Sequence, residues 1–236
     1  MTEIHHPNRR LINWIVYDMM DRLLRRYAVN FRGVLYDLGC GDQPYRDFFL
    51  RHADEYVGVE WSGNGRPRPP DIIADLNQPL AIADAVADTV VSFSVLEHLC
   101  EPQVMINEAY RILKPGGALM LQVPWQWWIH EAPHDFYRYT PYGLRYMLGK
   151  AGFAQVQIEA QCGFFTMMVL KFNYFTNRAI PGPRLIRRFF KLFLVPFWFL
   201  GQILAPHLDR LDRDWELEAQ GYFVLAVKPK SDEPQG

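Results

Sequence analysis

Gly33-Val-Leu-Tyr-Asp-Leu-Gly-Cys-Gly41 is the stretch that decides the fold. A short apolar run ending in glycines reads as a strand running into a tight loop. Working outward, Tyr56-Val-Gly-Val-Glu60, Asp71-Ile-Ile-Ala-Asp75, Thr89-Val-Val-Ser-Phe-Ser94 and Gly117-Ala-Leu-Met-Leu-Gln-Val123 read as further strands. Helical stretches lie between them, the clearest from Gln103 to Leu113. Strands alternating with helices predict an α/β fold, with a mostly parallel sheet covered on both faces. Upstream, Leu11, Ile12, Ile15, Met19, Leu23 and Leu24 recur in steps of three and four, so an amphipathic helix is expected from about Asn8 to Tyr27. Downstream, Thr140-Pro141 is a helix start, and that helix is expected to run to Ala151 and stop at Gly152. Val156–Ala160 and Tyr222–Lys228 complete a set of seven strands.

Asp37-x-Gly39-x-Gly41 therefore falls at the carboxyl end of the first strand, where such sheets bind cofactors. Glu60 ends the second strand, where a carboxylate can accept both hydroxyls of a ribose. A dinucleotide fold would require a third glycine, and Gly39-Cys-Gly41-Asp-Gln-Pro44 lacks it. Asp42 would also repel a pyrophosphate. An adenosyl ligand without phosphates fits better than a dinucleotide.

Composition agrees with one large folded domain. Half of the 236 residues are hydrophobic, and 25 basic residues nearly balance 26 acidic ones, leaving a net charge of −1. That balance argues against a nucleic-acid partner. Cys40, Cys100 and Cys162 form neither a zinc pattern nor a disulfide framework, and the polar N-terminus has no secretory h-region, so a cytoplasmic location is expected.

In five places the residues resemble the class I S-adenosylmethionine-dependent methyltransferases, in particular the type 11-like subgroup. The matching pieces are Val34–Gly41, Val57-Gly-Val-Glu60, Ala74-Asp75-Leu76, Ser92-Phe-Ser-Val-Leu-Glu-His-Leu99 and Arg111-Ile-Leu-Lys-Pro-Gly-Gly117. The resemblance implies a Rossmann-like methyltransferase fold and S-adenosylmethionine as cofactor. By the same resemblance Asp37, Gly39 and Gly41 line the methionine moiety and Glu60 takes the ribose. Asp75 and the Leu76 N–H serve the adenine, and Ser94 lies beside the methionine portion. His98 reads as a packed helix-start residue.

The acceptor side is expected in the aromatic loop from Pro124 to Thr140. His134 beside Asp135 is assigned as a base with its carboxylate neighbour. Tyr137 and Arg138 are assigned to a polar or anionic acceptor. A competing reading pairs Asp135 with Arg138 to stiffen a lid. Trp125, Trp127 and Trp128 either stack on a sugar or prenyl chain or form lid core, and Trp125 is the one assigned to the acceptor. No metal is expected from His130, Glu131, His134 and Asp135, because Pro133 interrupts any helical H-E-x-x-H.

Residues 163–220 are too many for a turn between strands and read as an insertion, with 1–32 as an N-terminal cap, 33–162 and 221–230 as the core and 231–236 as a disordered tail. From Gly163 to Leu208 there is no Asp or Glu, while six basic residues give +6 and eleven aromatics accompany them. Phe189–Ala205, with Lys191 inside it and Pro196 breaking its middle, reads as a poor membrane span. A basic, aromatic helix lying on an anionic membrane surface fits better. The alternative is a helical cap or homodimer interface. The expected function is O-methylation of a saccharide or lipid-linked cell-envelope intermediate at the inner face of the membrane. The alternatives are a methyltransferase for a quinone or small hydrophobic metabolite and a non-catalytic adapter.

Overall fold

A computed structural model describes residues 6–230 apart from 64 and 66. The expected tail 231–236 lies outside the described residues.

The chain begins with α1 (Trp14–Arg26), followed by β1 (Val34–Leu38), the short α2 (Arg46–Phe49), β2 (Glu55–Glu60), β3 (Ile72–Ile73) and β4 (Ala87–Phe93). Then come α3 (Pro102–Ile112), β5 (Leu113–Pro124), α4 (Pro141–Ala151), β6 (Ala154–Ala160), α5 (Phe164–Ala179), α6 (Arg184–Asp209) and β7 (Gly221–Val227). The seven strands form one sheet in the order β3-β2-β1-β4-β5-β7-β6. β1 to β5 pair in parallel, while β7 runs antiparallel to both β5 and β6. The Rossmann-like α/β expectation holds, with a reversed strand next to the far edge.

Period-two alternation divides the strand side chains between two cores. Leu119, Leu121 and Val123 of β5 and Tyr222, Val224 and Ala226 of β7 join Met105 and Ile106 of α3 and Leu144 and Leu148 of α4 on one face. Met120, Phe223 and Leu225 point the other way, onto Met20, Leu23 and Leu24 of α1 and Phe48 and Phe49 of α2. Thus α1 packs as a covering layer on one face of the sheet. The start and stop of α4 are as expected: Thr140 Oγ1 accepts from the Gly143 N–H, and Gly152 closes the helix at φ 102°.

α1 begins six residues later than its periodicity suggests, and the insertion supplies the reason. Gln202 of α6 donates to the Leu11 carbonyl and accepts from the Ile15 N–H, while Asn173 of α5 donates to the Ile12 carbonyl. Those contacts hold residues before Trp14 in turns. The insertion is otherwise helical as expected. Asp209, at the end of α6, accepts from the N–H groups of Gly163, Phe165 and Thr166 and from the Thr166 hydroxyl, tying α6 to the start of α5.

Two expectations about this segment are corrected. Pro196 does not break it, because α6 is one helix of 26 residues, about 39 Å long. By length and composition it could cross a membrane. Trp198, one of the aromatics of the segment expected to lie on a membrane surface, is buried, and its indole N–H donates to Thr176 Oγ1 at 2.9 Å. Only Trp198, Gln202, Ala205 and Asp209 of α6 are buried. This narrow stripe occupies the second half of the helix.

Candidate active site

The loop after β1 is shaped by close approach. Gly39 has φ 80°, and a Cβ there would lie 2.4 Å from a Val95 methyl group, so a side chain would drive the loop off the segment following β4. The N–H groups of Gly39 and Cys40 both donate to the Val59 carbonyl, at 2.8 and 3.1 Å. Gly41 N–H donates to one Glu60 oxygen at 3.0 Å and Trp61 N–H to the other at 2.9 Å, which fixes the carboxylate at the end of β2.

Asp37 is buried and accepts from the Tyr56 hydroxyl at 2.7 Å. Burial pushes its carboxyl up to about 7, and the Glu60 charge adds to the rise. Beyond β3, Asp75 accepts from both the backbone and the side-chain amide of Asn77. Ser94 takes φ 54° at the end of β4, its N–H donating to the Gln122 carbonyl and its hydroxyl to Gln122 Oε1.

Asp37, Gly39, Gly41, Glu60, Asp75, Leu76 and Ser94 all line one cavity of about 650 Å³. It opens at the carboxyl ends of the parallel strands, where ligands of such sheets bind. Asp37, Asp42, Glu60, Asp75, Glu97 and Glu131 give it six carboxyl groups, and among the described residues no Lys or Arg lines it. Such a lining suits a cationic ligand with hydroxyls to satisfy and opposes a polyphosphate. Together with the glycine loop, which leaves no room for a Cβ, it fits an adenosyl sulfonium cofactor.

The opposite wall differs from expectation. His134 is exposed and lines the cavity, its ring packed against Trp61 and Phe136, but Asp135 does not serve it. Asp135 instead accepts two bonds from the Arg138 guanidinium, at 2.6 and 2.8 Å, and one from the His130 N–H at 2.8 Å. Arg138 holds its carboxyl well below the usual carboxylate range. The histidine facing Asp135 is His130, whose Nδ1 lies 3.3 Å from it. Adjacent residues in an extended segment point apart, which is why His134 and Asp135 separate.

The residues expected on the acceptor side lie elsewhere. Tyr137 donates to the Cys100 carbonyl, Arg138 is committed to Asp135, and Trp125 packs against the main core; none of the three lines the cavity. Trp127, Trp128 and Tyr174 do line it, as a stacked aromatic wall. So do Glu97, His98 and His130; His98 was expected to be a packed helix-start residue, and neither Glu97 nor His130 was expected in the site. Glu97 is fully buried, and burial pushes its carboxyl up to about 8. The available signal was Leu96-Glu-His98 directly behind the fourth strand, a place where chain ends converge on the cavity.

Residues 36–121 match the family model described as a methyltransferase domain. A probable S-adenosylmethionine-dependent methyltransferase of Mycolicibacterium smegmatis is 31% identical over 94 residues, which cover 37% of each chain. The chain thus spans little more than a third of the length of that curated relative. A ubiquinone biosynthesis O-methyltransferase of Cereibacter sphaeroides is 26% identical over 150 residues, covering 52% of this chain and 61% of its own. Among solved structures, a SAM-dependent methyltransferase from Archaeoglobus fulgidus superposes with a TM-score of 0.58 at 19% identity, over 89% of this chain and 94% of its own. Residues 36–121 thus match a methyltransferase domain, and the chain is similar over that region to S-adenosylmethionine-dependent methyltransferases.

Proposed function

We propose that the chain transfers a methyl group from S-adenosylmethionine to an oxygen of a saccharide or lipid-linked cell-envelope intermediate at a membrane surface. One observation carries this reading: the carboxylate-lined cavity shares its Trp127, Trp128 and Tyr174 wall with a second hollow of about 440 Å³, which Lys171 and Arg178 also line. Aromatic faces beside cationic side chains suit a sugar bearing phosphate.

S-adenosylmethionine supplies an electrophilic sulfonium methyl with an excellent leaving group. Asp37 is assigned to its ammonium group, Glu60 to its ribose, and Asp75 with the Leu76 N–H to its adenine. Ser94 borders the methionine portion. Positioning can then provide most of the acceleration. With the cofactor so held, an acceptor oxygen would take the methyl group as the carbon–sulfur bond broke and its electron pair returned to sulfur. His134, on the cavity rim, takes the acceptor's proton. Asp135 and Arg138 stiffen the loop that carries it.

The insertion provides the membrane contact. Phe189, Leu192, Phe193 and Phe197 are exposed along α6, close in sequence to Arg187, Arg188 and Lys191. Lying in the interface suits α6 better than spanning, since spanning would pull buried Gln202 and Asp209 from their partners.

The aromatic wall also favours a second reading, a quinol or similar small hydrophobic acceptor, in line with the ubiquinone O-methyltransferase relative. Purified protein supplied with methyl-labelled cofactor, and either a lipid-linked saccharide extract or a short-chain quinol, separates the two. Label in the saccharide-lipid fraction supports the first reading. Label only in the quinol overturns it in favour of the second. No transfer by folded, cofactor-binding protein removes both.

A further inference from the structure

Glu97 is fully buried, yet neither of its carboxylate oxygens has a hydrogen-bond partner among the described residues. Leaving a carboxylate so isolated is costly, and the arrangement around it indicates what would offset that cost. His98 Nε2 lies 3.7 Å and His130 Nε2 3.8 Å from the same oxygen, Glu97 Oε1. One ligand atom from each of the three residues can be chosen so that all lie within 4.8 Å of one another.

Neighbouring acceptors set the tautomers. His98 Nδ1 is 2.5 Å from the His134 carbonyl oxygen, which can only accept, so Nδ1 carries the proton and Nε2 presents a lone pair. His130 Nδ1 is 3.3 Å from both the Trp128 carbonyl and Asp135 Oδ2, with the same consequence. Two imidazole lone pairs and a buried carboxylate oxygen therefore converge. A metal-binding histidine usually donates its other ring N–H to a carbonyl or carboxylate, and both histidines here do so. Arg138 locks Asp135 behind His130 with two bonds.

We propose that Glu97, His98 and His130 hold a divalent first-row transition-metal ion in the acceptor half of the cavity. Two neutral imidazoles and one carboxylate select zinc, cobalt, iron or manganese over magnesium or calcium. Bonds of about 2.0–2.2 Å require the three ligand atoms to sit about 3–3.5 Å apart, so the site contracts slightly on binding. Glu131 Oε2, 3.9 Å from His98 Nε2, is placed to become a fourth ligand or to yield that position to an acceptor oxygen. Pro133 excludes a metal only from a helical motif within residues 130–135. Here two of the three ligands come from the turn after β4.

The ion's use rests on the methyl-transfer reading: as a Lewis acid it would acidify an acceptor hydroxyl whose proton then passes to His134. Its binding does not rest on that reading. The test is Co²⁺ titration of the chelator-treated full chain, followed by visible absorption, with Zn²⁺ competition and parallel calorimetry with S-adenosylhomocysteine. One equivalent of Co²⁺, displaced by Zn²⁺, should bind at about micromolar Kd or tighter. Glu97→Gln and His130→Asn should each weaken Co²⁺ binding about 100-fold while S-adenosylhomocysteine still binds. Should Glu97→Gln fail to fold, the rim variants His98→Asn and His130→Asn carry the test. Folded protein that takes up no Co²⁺, or uptake indifferent to these variants, overturns the proposal. Co²⁺ uptake without S-adenosylhomocysteine binding leaves it standing and overturns the methyl-transfer reading instead.

Discussion

Asp37 should make cofactor affinity depend on pH near neutrality, a range in which an exposed carboxylate stays ionised throughout. Its carboxyl is buried under the Tyr56 hydroxyl, with Tyr45 and Glu60 the other titratable groups acting on it, and burial pushes it up to about 7. The ammonium of S-adenosylhomocysteine pairs with the ionised form alone and so draws the bound-state pKa down. Free protein at about pH 6 has roughly a tenth of Asp37 ionised, and at about pH 8 roughly nine tenths. Binding is therefore linked to proton release, and Kd should rise about tenfold from pH 8 to pH 6, equivalent to about 1.4 kcal/mol. The same shift bears on folding: a raised carboxyl pKa stabilises the ligand-free protein below the unfolded-state value of 3.8, and that contribution is lost as pH climbs through about 7. Calorimetry in two buffers of different ionisation enthalpy reads the proton directly. Asp37→Asn keeps an acceptor for Tyr56 but cannot ionise, so it should bind weakly with a flat pH profile. Equal affinity at pH 6 and 8 in the wild type, or an Asn variant as tight as the wild type, would refute the assignment.

Gly39→Val should reduce S-adenosylhomocysteine affinity by about 100-fold or more, because φ 80° and the 2.4 Å approach to Val95 both resist a branched side chain; calorimetry measures it. His134→Ala should lower turnover about 100-fold with cofactor affinity unchanged, and equal activity across pH 6 to 9 would remove His134 from proton transfer. Asp209→Ala strands the donors of Gly163, Phe165 and Thr166 and should cost about 3 kcal/mol in urea unfolding. Charge reversal at Arg187, Arg188 and Lys191 should abolish co-sedimentation with anionic vesicles, each basic residue contributing about 1 kcal/mol; wild-type protein that ignores both anionic and neutral vesicles would end the membrane reading.

The cofactor half of the site was readable because its chemistry is local. Asp37 lies in one strand, Gly39 and Gly41 follow it and Glu60 ends the next, so strand period and glycine conformation alone brought them to one edge. The acceptor half depends on how an irregular loop folds back. His134 and Asp135 are neighbours in the chain, but Asp135 turns to His130 and Arg138, an arrangement that adjacency cannot reveal. Glu97 carries no sequence signal of its own beside His98, which reads as a packed helix-start residue; only burial without a partner marks it out. Pro196 was overweighted for a related reason: its effect on a helix depends on the surroundings, and α6 continues through it.

The position of β7 has a consequence for synthesis. β6 pairs with β7 and not with β5, so the insertion lies between two strands that must meet side by side. While the ribosome is making α5 and α6, β6 has no neighbour to join and β5 has one edge bare. The sheet closes only after Gly221–Val227 emerges, and a chain stopped before Gly221 loses two strands from the sheet instead of one. A nascent chain would thus complete its basic, aromatic helices before its sheet is closed.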